Sequence, residues 1–139
     1  MKNDKTSKFA LERAYRWFQS GTRGIEDKRW DDAVYSFQMA TEQALKSILI
    51  LFGVEYPRKH DVSRIYNDLK SMEIPQWFKN KIDDHVKISR SLINLRGKAA
   101  YGYIEGLTKD FFKNNAIKYK DLVFSILEDC KRLLEALIK

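Results

Sequence analysis

Between Trp30 and Phe52 the apolar residues repeat at helical spacing on two sides of one axis. At about 100° per residue, Trp30, Ala33, Val34, Phe37, Thr41, Ala44, Leu45, Ile48, Leu51 and Phe52 share one broad face. Tyr35, Met39 and Ile50 form a narrower stripe nearly opposite. A helix apolar on two sides belongs in the middle of a bundle, with neighbours on each. Asp31 and Asp32 sit in its first turn, where the helix dipole favours negative charge. Gly53 follows its last apolar residue, where a left-handed cap is wanted, and Glu42 with Lys46 makes an i,i+4 ion pair.

The same periodicity places the other elements. Phe9, Leu11, Ala14, Tyr15, Phe18 and Ile25 predict a first helix from Phe9 to about Asp27, after a polar, frayed lead at residues 1–7. Gly21 and Gly24 weaken its second half, so it should end early or bend. Lys28 and Arg29 make so short a connection that the first two helices must pack antiparallel. GVEYPRKHD is a loop, after which Asp61 caps a short helix carrying Val62, Ile65, Tyr66 and Leu69. Pro75 opens a helix over Gln76 to about Arg96, with one apolar edge at Trp77, Ile88, Leu92 and Leu95 and another at Phe78, Ile82, Val86 and Ile93. Gly97, Gly102 and Gly106 then read as helix end plus loop. Thr108 opens the last helix, whose stripe runs through Phe112, Ala116, Tyr119, Val123, Ile126, Leu127, Cys130, Leu133, Leu134 and Leu137. The expectation is an all-α, up-and-down bundle of four long helices plus one short helix, in a single domain over residues 1–139.

Composition agrees with this picture and narrows the chemistry. Two prolines and six glycines in 139 residues favour a few long helices over many short strands. Cys130 is the only cysteine, which excludes an intramolecular disulfide; on the last apolar stripe it reads as a buried, inert thiol. There is no secretory segment and no apolar run of membrane-spanning length, so a soluble, cytoplasmic protein is expected. The net charge of +7 suits an anionic partner such as RNA without requiring one. No Gly-rich phosphate loop, nucleophile elbow or cysteine pair occurs, and His60 and His85 lack partners at metal-ligand spacing, so neither a metal nor a cofactor is expected. His60, beside Asp61, reads as capping or lining its loop.

The unusual residue is Arg96. It shares a helix side with His85 and Ser89, between the two apolar edges. A permanently charged guanidinium aimed there is costly unless it is paired or meets an anion. Tyr101 and Tyr103 follow in a Gly-flanked turn that would fold them back toward it. The plainer alternative is an Arg favoured by the helix C-terminus, with the tyrosines as packing. Lys79, Lys81, Lys87, Arg90 and Lys98 outnumber Asp83 and Asp84 on this segment and point in several directions, as a solvated surface does.

The Ala14-to-Trp17 helix, the central run with Glu-x-x-x-Lys ending in Gly, His60-Asp61-Val62 after a loop, and an Arg-containing turn before a last long helix resemble the HEPN family. That resemblance implies a helical bundle that dimerises, often acting as a metal-independent endoribonuclease toxin beside a small nucleotidyltransferase. Its implied site is an Arg followed four to six residues on by a His, from both subunits, in a cleft on the dimer axis. In one branch a Tyr follows the His after one residue and is adenylylated by the nucleotidyltransferase. Position by position, Arg96 matches the Arg, Tyr101 stands where the His belongs, and Tyr103 matches the trailing Tyr.

That departure bears on the chemistry. Cleavage needs the 2′-hydroxyl deprotonated and the leaving oxygen protonated near neutrality, a task suited to His and poorly suited to Tyr. The leading expectation is therefore a HEPN homodimer that binds RNA or nucleotide, paired with a nucleotidyltransferase, with weak or absent nuclease activity. Arg96, Arg90 and Lys98 are its ligand-binding candidates. The alternatives are an active ribonuclease using Arg96 with Tyr101, Tyr103 or His85, and a scaffold in which Arg96 is structural. The second stripe of the central helix and the exposed edges of the Gln76 helix are candidate dimer surfaces.

Overall fold

The computed structural model describes residues 2–138, with side chains for residues 3–138. Among these residues all regular structure is helical: α1 (Lys2–Glu26), α2 (Trp30–Leu51), α3 (Ser63–Asn67), α4 (Gln76–Tyr101) and α5 (Lys113–Leu137). Three 3₁₀ segments, Asp68–Ser71, Gly102–Glu105 and Lys109–Phe112, extend or join them and are not foreseen by the sequence pattern. None of the described helices is long and apolar enough to cross a membrane.

α2 is the centre of the bundle and contacts α1, α4 and α5. Its broad face carries Ala33, Val34, Phe37, Ala44, Leu45 and Ile48, all fully buried. Burial continues round to the polar residues Ser36, Gln38, Thr41, Glu42 and Ser47, so almost no side of this helix is free. Thr41 and Ser47 satisfy their hydroxyls locally, donating to the carbonyls of Phe37 (2.9 Å) and Ala44 (2.6 Å). Glu42 cannot do that, and its partners are described below.

Two expectations about α1 are corrected. The helix already runs from Lys2, and Ser7 is fully buried, where the polar composition suggested a frayed lead. Gly21 and Gly24 do not end it early. A Cβ on Gly21 would stand 2.4 Å from the Phe37 ring, and one on Gly24 would lie 3.2 Å from the Ala33 Cβ. These glycines exist for close approach of α1 to α2, a role that outweighs their helix propensity of roughly 1 kcal/mol.

The helix ends follow one device. After α1, Arg29 N–H donates to Gly24 O (2.7 Å) and Lys28 N–H to Ile25 O (3.0 Å), with Lys28 left-handed at φ 58°. After α2, Val54 N–H donates to Leu49 O (2.9 Å) and Gly53 N–H to Ile50 O (3.0 Å), with Gly53 at φ 68°. Both are paired C-terminal caps; only the second has glycine at its left-handed position. Asp61 holds the start of α3, its Oδ1 accepting Ser63 N–H (2.9 Å) and Ser63 Oγ–H (2.6 Å). α4 does not stop near Arg96: Gly97 has open space around it and the helix continues to Tyr101. α5 starts at Lys113, with Thr108 preceding a 3₁₀ turn instead of the helix itself. Its stripe is buried from Phe112 to Leu134, but Leu137 is exposed, as is Phe9 on α1.

Candidate functional site

Arg96 stands five residues before the end of α4, half-buried against the narrow stripe of α2. A terminal guanidinium nitrogen (Nη2) donates to the Tyr35 hydroxyl at 3.1 Å, and its carbon lies 4.9 Å from the centre of the Tyr35 ring. The ring face attracts the cation, and the planar, multi-donor group can contact ring and hydroxyl together. Nε is buried and has no hydrogen-bond partner among the described residues, and no described carboxylate pairs with the group. A charged, partly desolvated donor without an internal anion is unusual in a folded chain.

Tyr35 links Arg96 to a longer row. Its ring meets Trp17 of α1 at 6.5 Å between centroids, and Arg13 lies 5.9 Å from the Trp17 ring. Arg13, Trp17, Tyr35 and Arg96 thus form a row across three helices, two adjoining rings with a cation at each end. The sequence pattern identified Tyr35 as part of a second stripe; its partner on α4 came only with the packing.

The remaining sequence candidates are dispersed. α4 continues past Gly97, so Tyr101 lies about 140° around the helix from Arg96. Tyr101 (63% exposed), Tyr103 (72%) and Ile104 (75%) project into solvent, and neither tyrosine bonds or stacks with Arg96 among the described residues. The expected folding-back of the tyrosines is therefore not found. Arg90 is exposed and its Nε donates to Ser63 Oγ at 3.1 Å, while Lys98 is exposed on another side of α4. Within one chain, neither stands beside Arg96.

His85 is removed from Arg96 as well. Eleven residues separate them, roughly 16 Å of helix. His85 is buried, with Nδ1 2.7 Å from the Tyr66 hydroxyl and Nε2 2.8 Å from Asp129 Oδ2 on α5. Both ring nitrogens are occupied, so it ties α3, α4 and α5 together and is no substitute base for Arg96. Burial, then the nearby Cys130 and Asp129, push the Tyr66 hydroxyl well above its usual range. Burial and Asp129 likewise push the Cys130 thiol up, keeping it protonated and unreactive.

A second polar cluster was missed. Glu42 is 4% exposed, and its oxygens take Lys46 Nζ at 2.8 Å, His60 Nδ1 at 2.8 Å and Gln38 Nε2 at 3.3 Å. The i,i+4 spacing gave the Lys46 pair, but not the burial of Glu42 or its contact with His60. The clue was azimuthal: Glu42 follows Tyr35 by seven residues, so both lie on the second face of α2.

Neither a curated protein nor a solved structure matches the chain. The HEPN domain family matches residues 7–139, nearly the whole described structure, and the chain belongs to that family.

Proposed function

We propose that this HEPN chain binds RNA or nucleotide at Arg96, as a homodimer and as one half of a nucleotidyltransferase–HEPN pair of toxin–antitoxin type. Family membership supports a nucleotide- or RNA-directed role. The observation that carries the reading is the Arg96 guanidinium: half-buried, seated on Tyr35, with a buried unpartnered Nε and no described carboxylate to neutralise it. A phosphate is the ligand such a fork suits. The row from Arg96 through Tyr35 and Trp17 to Arg13 adds cations and aromatic surface of the kind that takes single-stranded nucleic acid.

The exposed Tyr101, Tyr103 and Ile104 at the end of α4 form an apolar patch suited to a self-complementary contact. Cleavage remains weak or absent in this reading. Tyr101 replaces the motif His, and His85 is occupied by Tyr66 and Asp129.

The test compares wild type with Arg96→Ala by fluorescence anisotropy on a short single-stranded RNA, with sedimentation for the oligomeric state. The expected result is a dimer that binds RNA without degrading it, roughly tenfold or more weaker in the variant at unchanged melting temperature. Equal binding by both proteins, or a monomeric wild type, would overturn the proposal. Rapid RNA breakdown that disappears in Arg96→Ala would instead establish a nuclease.

A further inference from the structure

We infer that the cavity between the start of α1, the C-terminal half of α2 and the 53–60 loop is a separate site for a phosphate group. It has a volume of about 950 Å³. Its walls present Lys46, Arg58, Lys59 and His60, with the Tyr56 ring and the Asn3 amide. Glu42 and Glu55 also line it, and the two carboxylates stand differently.

Glu42 is nearly inaccessible and fully engaged. Lys46 neutralises it, and Gln38 and His60 complete its shell. It therefore acts on the site by holding other groups in place. A carboxylate oxygen 2.8 Å from His60 Nδ1 requires the proton on that nitrogen, which fixes the ring at the cavity wall. Lys46 is fixed between Glu42 and the Tyr56 ring, 5.4 Å from its centre. Arg58 and Lys59 are exposed and form no ion pair among the described residues. Once Glu42 is matched by Lys46, the carboxylate left on the cavity wall is the exposed Glu55, with Asp61 acting on Lys59 from the start of α3. Burying a charge such as Glu42 costs desolvation that its pairing only offsets, so the pair is a weak device for stability alone. Tyr56 offers a half-buried ring beside the cations, so a nucleoside attached to the phosphate has a surface to stack on.

Two sources carry this chemistry: a free nucleotide, and the backbone of an RNA strand. Tyr35, Glu42 and Lys46 share one face of α2, so the cavity lies roughly 10–16 Å along the helix from Arg96. A strand bound at Arg96 can extend toward it. The phosphate site stands without the Arg96 reading; only its RNA version rests on that reading.

The test titrates ATP and, separately, a single-stranded oligouridylate into wild type, Arg58→Glu/Lys59→Glu and Arg96→Ala by calorimetry. Both reversed residues are exposed on a loop, and because Lys59 also acts on Asp61, a melting curve of the double variant accompanies the titration. The expected result is that the double variant loses affinity by about tenfold or more. Loss for ATP that Arg96→Ala does not share assigns a free nucleotide. Loss for the oligonucleotide alone, in both variants, assigns an RNA phosphate and supports the Arg96 reading as well. Loss for the oligonucleotide in the double variant only keeps the cavity and removes Arg96. Wild-type protein that binds neither probe, or a double variant that binds both as tightly as wild type, would overturn the inference.

Discussion

At Gly21 and at Lys28 the residue type and the backbone are mismatched in opposite directions. Gly21 is where a helix would ordinarily prefer Ala, yet a Cβ there would run into the Phe37 ring at 2.4 Å. Gly21→Ala should therefore destabilise the protein by about 1–3 kcal/mol, the usual cost of overpacking, in a denaturant titration. Lys28 is left-handed at φ 58°, where glycine has no steric penalty. Lys28→Gly should raise stability by roughly 0.5–1 kcal/mol, and a loss would show that the Lys28 side chain contributes more than its backbone costs. Arg96 presents the same kind of issue in chemical form. An ammonium lacks the planar fork of donors that reaches ring, hydroxyl and phosphate together, so Arg96→Lys should lose most of the RNA affinity that Arg96→Ala loses.

Among elements, α3 is the least self-sufficient. With five residues it is too short to persist alone and depends on its cap, its core contacts through Tyr66, and Arg90 reaching Ser63 from α4. Burial opposes ionisation of Asp61, but the Ser63 hydroxyl and N–H, with Arg90 and Lys59, hold its carboxyl below the usual range. Its folded-state pKa is thus depressed, so the cap is intact above the ordinary value of 3.8 and is lost as pH falls through the lowered one. Asp61→Ala should cost about 0.5–2 kcal/mol and speed amide exchange at residues 63–67 selectively. The end of α4 was the element the sequence pattern misplaced. Gly97 reads as a stop, but a solvent-facing glycine costs a helix only about 1 kcal/mol, and Lys98, Ala99 and Ala100 carry it onward. That single misjudged turn is why Tyr101 and Tyr103 were expected beside Arg96 and stand apart from it.

For the molecule as a whole, three buried or half-buried acids carry raised values: Tyr15, Tyr66 and Cys130, each through burial first. In Tyr15 the hydrogen bond to Glu128 adds to this. All three are neutral in both states below their ordinary values of 9.0 for Cys and 10.0 for Tyr. Above those values the unfolded chain releases protons that the folded chain retains, so stability falls as pH rises. The melting temperature should be level at neutral pH and decline steadily from about pH 9 upward; a level course through pH 11 would contradict the burial of these groups.

Periodicity by itself determined that the chain is all-helical, that α2 lies at the centre, and that Arg96 occupies an awkward side of α4. These follow from where apolar side chains recur along one element, which is local information. What only the tertiary structure decided is what meets what. Tyr35 receives Arg96, His85 is consumed by Tyr66 and Asp129, and Glu42, paired with Lys46 by its spacing, is also a buried anchor for His60. Each depends on the approach and rotation of separate helices, set by contacts such as Gly21 against Phe37, and one helix's spacing carries no record of its neighbour's azimuth.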